Sequence, residues 1–204
     1  MKVVEEYNQN IGIVILAAGA STRMGTPKQL LPYQECTLLR HTIEVAKSSV
    51  CRPIVVILGA YAQLIKPDIS HLSIQIVENL QWAKGMSSSI KVGIQELTTS
   101  YPEVKAAIVT LCDQPFISTE IINQLALTHY STNQPIIACE YGEALGVPAL
   151  FSDRLFSELI TLKNGEGAKQ VIKKHSQEVF SISFPEGAMD IDTPKEYAEL
   201  LVMT

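Results

Sequence analysis

The chain has 204 residues, 47% of them hydrophobic and 18% charged, enough for one sizeable domain with a continuous core. A formal net charge of -5 excludes the broad basic surface that nucleic acid or an anionic membrane requires, so any bound phosphate must be held by a local site. The four cysteines, Cys36, Cys51, Cys112 and Cys139, form no C-x-x-C pair and no zinc spacing; they read as buried free thiols of a cytoplasmic protein.

Residues 1–10 are polar and acidic and are expected to form a flexible lead. The first apolar run, Ile11–Leu16, is too short to span a bilayer, and Glu5 and Glu6 precede it where a secretory signal would carry positive charge. From there short apolar runs alternate with amphipathic stretches. The spacing predicts strands over Ile11–Leu16, Pro53–Leu58, Ser73–Val77, Val104–Leu111, Ile136–Cys139, Val147–Phe151 and Glu178–Ser183. Helices are predicted over Thr37–Ser49, Tyr61–Ile65, Ser87–Leu97, Thr119–Tyr130, Arg154–Leu162, Gly167–His175 and Lys195–Met203. Continuous Val/Ile runs between helices indicate strands covered on both faces, hence an α/β three-layer sandwich around a mostly parallel, Rossmann-like sheet. With no repeat and no linker, residues 11–204 form a single domain.

The first strand runs into Ala17-Ala18-Gly19-Ala20-Ser21-Thr22-Arg23-Met24-Gly25-Thr26-Pro27-Lys28. Small residues let backbone N–H groups approach an anion, and Arg23 and Lys28 add two cations, so the loop suits a polyphosphate. It is not a Walker A loop, because Gly19 and Gly25 are one residue too far apart and Thr26-Pro27 separate Gly25 from Lys28. Nor is it a dinucleotide fingerprint, since the next strand ends in Gly59-Ala60-Tyr61 without a carboxylate.

Ligands of such sheets bind beyond the carboxyl ends of the strands, where both this loop and Asp113 fall. Asp113 follows the run Ile108-Val109-Thr110-Leu111-Cys112 and can hold Mg²⁺ through oxygen; the cap of the next helix is supplied by Ser118 instead. Asp190 and Asp192 alternate on one extended segment and so face the same side. Thr193-Pro194-Lys195-Glu196 is a complete capping box, which leaves at least one of the two aspartates free for a metal. Gly85 turns the chain into a helix opened by Ser87-Ser88-Ser89, either a capped helix or an anion site. Trp82 is either core or a stacking wall, and Gly146-Val147-Pro148 reads as a rigid turn. His41, His71, His129 and His175 show no ligand spacing and read as surface residues, and no Gly-x-Ser-x-Gly elbow is present.

The segment Leu16 to Lys28 resembles the signature of the MobA-like nucleotidylyltransferases, with every fixed position filled. The likeness continues through Asn79-x-x-Trp82-x-x-Gly85-Met86-x-Ser88-Ser89, Cys112-Asp113-Gln114-Pro115, Gly146-Val147-Pro148, Gly165-Glu166-Gly167-Ala168 and Asp190-Ile191-Asp192-Thr193-Pro194. Glu166 stands where this family often has Asp, and Lys169 where Arg is frequent.

The resemblance implies a nucleotide-diphospho-sugar transferase type of fold and Mg²⁺-dependent transfer of a nucleotide with release of pyrophosphate. It assigns Leu16, Ala17, Ala18, Gly19, Ser21, Arg23, Lys28 and Asp113 to the nucleotide, with Arg23, Lys28 and Asp113 catalytic. Asp113 and Asp192 then hold the metal, and Trp82, Gly85, Ser88, Ser89, Gly146 and Pro148 meet the acceptor. The Ala-Ala-Gly form is most like molybdenum cofactor cytidylyltransferases, which implies CTP over GTP, a molybdopterin-type acceptor, and a partner enzyme of the xanthine dehydrogenase type or its maturation factor. A guanylyltransferase, a transferase acting on a sugar or alcohol phosphate, and a non-catalytic nucleotide-binding regulator remain the alternatives.

Overall fold

The runs Ile11–Ala17 (β1), Ile54–Leu58 (β4) and Ala106–Leu111 (β6) are buried along almost their whole length, as expected of strands covered on both faces. A computed structural model describes residues 10–203; the expected flexible lead lies outside the described residues apart from Asn10, whose carbonyl accepts a hydrogen bond from Lys105 N–H at 2.8 Å. The remaining strands are Pro32–Tyr33 (β2), Cys36–Thr37 (β3), Gln75–Glu78 (β5), Ile136–Tyr141 (β7), Ala144–Ser152 (β8) and Val179–Ser183 (β9). The main sheet has the order β5-β4-β1-β6-β8-β7-β9. All its pairs are parallel except those of β8, which runs antiparallel to β6 and to β7.

Helices Leu38–Ser48 (α1), Ala62–Ile69 (α2), Met86–Ser100 (α3), Thr119–Thr132 (α4), Phe156–Ile160 (α5), Ala168–Lys174 (α6) and Pro194–Met203 (α7) complete the chain. Side chains alternate across a strand, so Ile13 and Ile15 of β1 pack with α1, α2 and α4 while Val14 and Leu16 pack with α3, α5 and α6. The three predicted layers follow. Gly93 of α3 lets that helix lie close against the sheet, for a Cβ there would meet Val14 Cγ1 at 2.3 Å.

Each predicted strand and helix is present, with differences that have local causes. The predicted helix Arg154–Leu162 is a 3₁₀ turn, Asp153–Leu155, followed by a five-residue α5, closed where Thr161 Oγ1 donates to the carbonyls of Ser157 and Glu158. Helix α2 continues past Ile65 through Pro67 because Ile69, one turn on, is also fully buried. Gly146-Val147-Pro148 is not a turn but part of β8. Ala149 pairs with Ala138 and Gly146 with Cys139, so Val147 and Pro148 occupy a bulge, the place in a sheet that tolerates a residue without an N–H.

Cys51, Cys112 and Cys139 are buried free thiols as expected, whereas Cys36 is half-buried. Of the histidines His71 is exposed, but His41 and His129 are half-buried and His175 is a clamp. Its Nε2 lies 2.9 Å from Glu158 Oε2 and its Nδ1 3.0 Å from Glu178 Oε2. Lys174 and Arg154 pair with the same two carboxylates, at 2.9 Å and 3.4 Å.

Only the imidazolium donates from both ring nitrogens, and its hydrogen bonds to the Glu158 and Glu178 carboxylates raise the His175 pKa above the ordinary value. A raised folded pKa gives stability that is complete below the unfolded pKa and is lost as pH rises through the folded value. His175→Gln should therefore cost roughly 0.5–1 kcal/mol at pH 6 and less at pH 9 in urea unfolding; an equal cost at both pH values would show that packing, not charge, sets the effect.

Candidate functional site

Because β1 and β6 are adjacent and parallel, with Leu16 opposite Leu111, the segments that leave them start side by side. The β1 loop is pinned from beneath by Gln29, which is 1% exposed. Its Nε2 donates to Ala17 O at 2.9 Å and Gly19 O at 3.0 Å, and its Oε1 accepts from Ser21 Oγ at 3.4 Å. Ser21 adopts φ 50°, and its Oγ also accepts the Lys28 N–H at 3.2 Å, so the loop folds back and sets Lys28 beside its start.

Leu16 O accepts from Cys112 N–H and Ala18 O from Ala60 N–H. The carbonyls of residues 16–19 are thus all engaged, and the trans peptide turns the N–H groups of Ala18 and Ala20 away from Gln29. Gly59 makes the close approach possible, since a Cβ there would meet Ala18 O at 2.5 Å and Trp82 Cβ at 2.7 Å.

The far end of the chain reaches the same place through apolar packing. Met24, Leu31, Tyr33, Leu38, Ile191 and Leu200 form a small buried cluster, so that Arg23 and Asp192, the neighbours of Met24 and Ile191, are brought together. The Ile191 N–H donates to Asp113 O at 2.9 Å, fixing this segment against the end of β6. The predicted capping box is formed: Glu196 Oε2 accepts from Asp192 N–H and Thr193 N–H, and Glu196 N–H donates to Thr193 Oγ1. Neither aspartate carboxylate is spent on the cap.

Three ion pairs result. Lys28 Nζ lies 2.5 Å from Asp113 Oδ2 and 2.8 Å from Asp192 Oδ1, and Arg23 lies 2.6 Å from Asp192 Oδ2. Burial alone would lower the Lys28 pKa, but the Asp113 carboxylate, with Asp192, raises it above the ordinary lysine value. Burial likewise opposes ionisation of Asp192, yet Lys28 and then Arg23 outweigh it and hold the carboxyl below its usual range. Asp190 is unpaired among the described residues. Partial burial, then repulsion from Asp113 and Asp192, pushes its pKa up to about 6. Burial pushes the Cys112 thiol up to about 12, leaving it an inert neutral wall.

These groups line a cavity of about 460 Å³ together with Leu16, Ala17, Ala18, Gly19, Trp82, Gly85 and Ser89. A second cavity, of about 600 Å³, shares Asp190 and Asp192 with it. Trp82 is 37% exposed, which makes it wall and not core. Ser21, Ser88, Gly146 and Pro148 lie outside the lining. Ser88 Oγ is occupied by Gly85 O, Gln81 O and Asn79 Nδ2, while Gly146 and Pro148 are buried in β8.

Among the described residues no group of three or more His, Cys, Asp or Glu side chains is arranged to hold a metal. Two carboxylates are nevertheless what Mg²⁺ asks of a protein when phosphate oxygens and water complete its shell. Asp113 Oδ1 is a buried oxygen with no hydrogen-bond partner, and such an atom fits a hard cation.

Two residues that organise the site, Gln29 and Asn79, are neutral amides without periodicity. Asn79, also 1% exposed, donates to Ser88 Oγ and Ser89 Oγ at 2.8 and 3.0 Å and accepts from Gln81 N–H, thereby holding the Trp82 turn on α3. Asn79 belongs to the Asn79-x-x-Trp82 motif, whereas no pattern in the sequence marks Gln29.

The family model for the MobA-like NTP transferase domain matches residues 13–179. Nicotine blue oxidoreductase from Paenarthrobacter nicotinovorans is 36% identical over 117 residues, 57% of this chain and only 55% of that relative's length. Molybdenum cofactor cytidylyltransferase from Escherichia coli (strain K12) is 26% identical over 92% of this chain and 93% of its own. Among solved structures, Rv0371c from Mycobacterium tuberculosis H37Rv superposes with a TM-score of 0.82 at 27% identity, covering 96% of this chain and 98% of its own. Its complex with manganese gives a TM-score of 0.79 at 26% identity, with 96% and 100% covered. No helix among the described residues is long and apolar enough to cross a membrane.

Gln29→Leu keeps similar bulk but strips the Ala17 and Gly19 carbonyls of their donor, and should destabilise the fold by roughly 1–3 kcal/mol in chemical denaturation. An unchanged unfolding midpoint would show that the loop holds itself without Gln29.

Proposed function

This chain belongs to the MobA-like NTP transferase domain family, and on that premise we propose that it transfers CMP from CTP to the phosphate of molybdenum-bearing molybdopterin, releasing pyrophosphate. The observation that carries this reading is the meeting of Arg23, Lys28, Asp113 and Asp192 in one cavity at the carboxyl ends of β1 and β6. An acceptor phosphate oxygen attacks the α-phosphorus, a new P–O bond forms, and the bond to the pyrophosphate oxygen breaks.

Negative charge grows on the leaving pyrophosphate, where Arg23 and Lys28 offer two cationic donors whose contribution is greater in the transition state than in the bound substrate. Asp113 and Asp192 would hold Mg²⁺, which when bound supplies positive charge against the triphosphate. An ionised phosphate needs no general base, and no histidine lines the cavity.

The backbone of the β1 loop supports cytosine as the base. Cytosine offers the acceptors O2 and N3, complementary to the N–H groups of Ala18 and Ala20. Ala18, the position that distinguishes the cytidylyl-type signature, lies in this wall. The product would pass to an enzyme of the xanthine dehydrogenase type or to its maturation factor.

Pyrophosphate release with molybdopterin acceptor and Mg²⁺ should be faster with CTP than with GTP. Asp113→Asn should lower turnover at least about 100-fold in protein that circular dichroism shows to be still folded at the assay temperature. Faster release with GTP would reverse the base assignment, and release with a sugar phosphate but not with molybdopterin would replace the acceptor. Full Mg²⁺-dependent activity in Asp113→Asn would remove the mechanism.

A further inference from the structure

Three of the four carboxylate oxygens of Asp113 and Asp192 already carry a cationic donor, two from Lys28 Nζ and one from Arg23. The fourth, Asp113 Oδ1, is buried and unpartnered. The two cations differ in kind. The Arg23 side chain is 67% exposed, whereas that of Lys28 is 12% exposed and stands between both carboxylates. Lys28 is also anchored at its backbone, where its N–H meets Ser21 Oγ. A divalent cation that takes oxygens from both aspartates shares these carboxylates with a largely buried ammonium, repels it at close range and withdraws the counter-charge on which it depends.

We propose that Lys28 is the resident counter-ion of this carboxylate pair, that Lys28 and a divalent cation compete for Asp113 and Asp192, and that an incoming triphosphate decides the exchange by taking Lys28 and Arg23 onto its own oxygens. The inference rests on the nucleotidyl-transfer reading and deepens it: it makes metal and nucleotide binding mutually dependent. The cation is held weakly by itself because Lys28 opposes it. Once phosphate oxygens offer Lys28 a new partner, the carboxylates are released to the cation. The nucleotide, for its part, is held more tightly when the cation neutralises the two carboxylates that Lys28 leaves. Linkage makes the two enhancements equal.

Calorimetric titration of manganese(II) into nucleotide-free protein tests this without reference to turnover. Lys28→Gln should bind manganese(II) at least about tenfold more tightly than wild type, although the variant has lost a phosphate-binding cation. Adding Asp113→Asn to the same variant should abolish the gain. Acylation of wild-type Lys28 by acetic anhydride, followed by peptide mass spectrometry against the exposed Lys105 and Lys195, should rise when manganese(II) is added; this second readout holds even if the variant does not fold. Equal manganese affinities in wild type and Lys28→Gln, or unchanged Lys28 acylation at saturating manganese, would overturn the counter-ion role and leave the nucleotidyl-transfer reading standing. Failure of manganese(II) to bind either protein, with or without CTP, would overturn both.

Discussion

Lys28 Nζ joins two carboxylates that the chain delivers from separate elements, one at the end of β6 and the other just before α7. Unpaired, three charged groups so close together and partly out of water would cost several kcal/mol of desolvation and repulsion. Paired, they fix the positions of the β1 loop, the β6 end and the 190–192 segment relative to one another. The rest of the site is arranged around this constraint. Gln29 fastens the loop that carries Lys28 to the end of β1, and the Ile191 N–H fastens the segment that carries Asp192 to Asp113 O.

Apolar packing does the long-range part of this work. Met24, Leu31, Tyr33, Leu38, Ile191 and Leu200 draw together the loop, the short β2–β3 hairpin, the start of α1, the 190–192 segment and α7. The chemistry-bearing residues are neighbours in sequence of these anchors, so burial of non-functional side chains sets where Arg23 and Asp192 meet. The capping box on α7 contributes by using Glu196 and Thr193 for the helix start, which leaves the Asp192 carboxylate to face the cavity. Helix capping and the candidate site thereby draw on adjacent residues and not on the same carboxylates.

The sheet and its helices were legible because β1, β4 and β6 are uninterrupted apolar runs, and the signature from Leu16 to Lys28 marked the sheet edge at which the candidate site lies. Asp113, Asp190 and Asp192 could be found because each stands directly after a buried strand or beside a helix start that is already capped, and so is not needed as a cap. Other features depended on partners that sequence spacing does not reveal. The direction of β8 is set by the tight Tyr141–Ala144 turn with Gly142 at φ 63°; without that turn in view, Gly146-Val147-Pro148 looks like a corner. Glu158 and Glu178 reach His175 from different segments. Gln29 is one neutral amide among many until the carbonyls above it are seen.

In the proposed exchange one carboxylate pair serves Lys28 and a divalent cation in turn, and the cations of the β1 loop then serve the triphosphate. A crystal structure with manganese(II) and a transfer-resistant CTP analogue, with the metal located by anomalous scattering, tests it most directly. Metal density is expected about 2.1 Å from oxygens of Asp113 and Asp192, with Lys28 Nζ moved onto a phosphate oxygen. Metal bound away from these aspartates, or Lys28 still bridging them beside an ordered triphosphate, would contradict it.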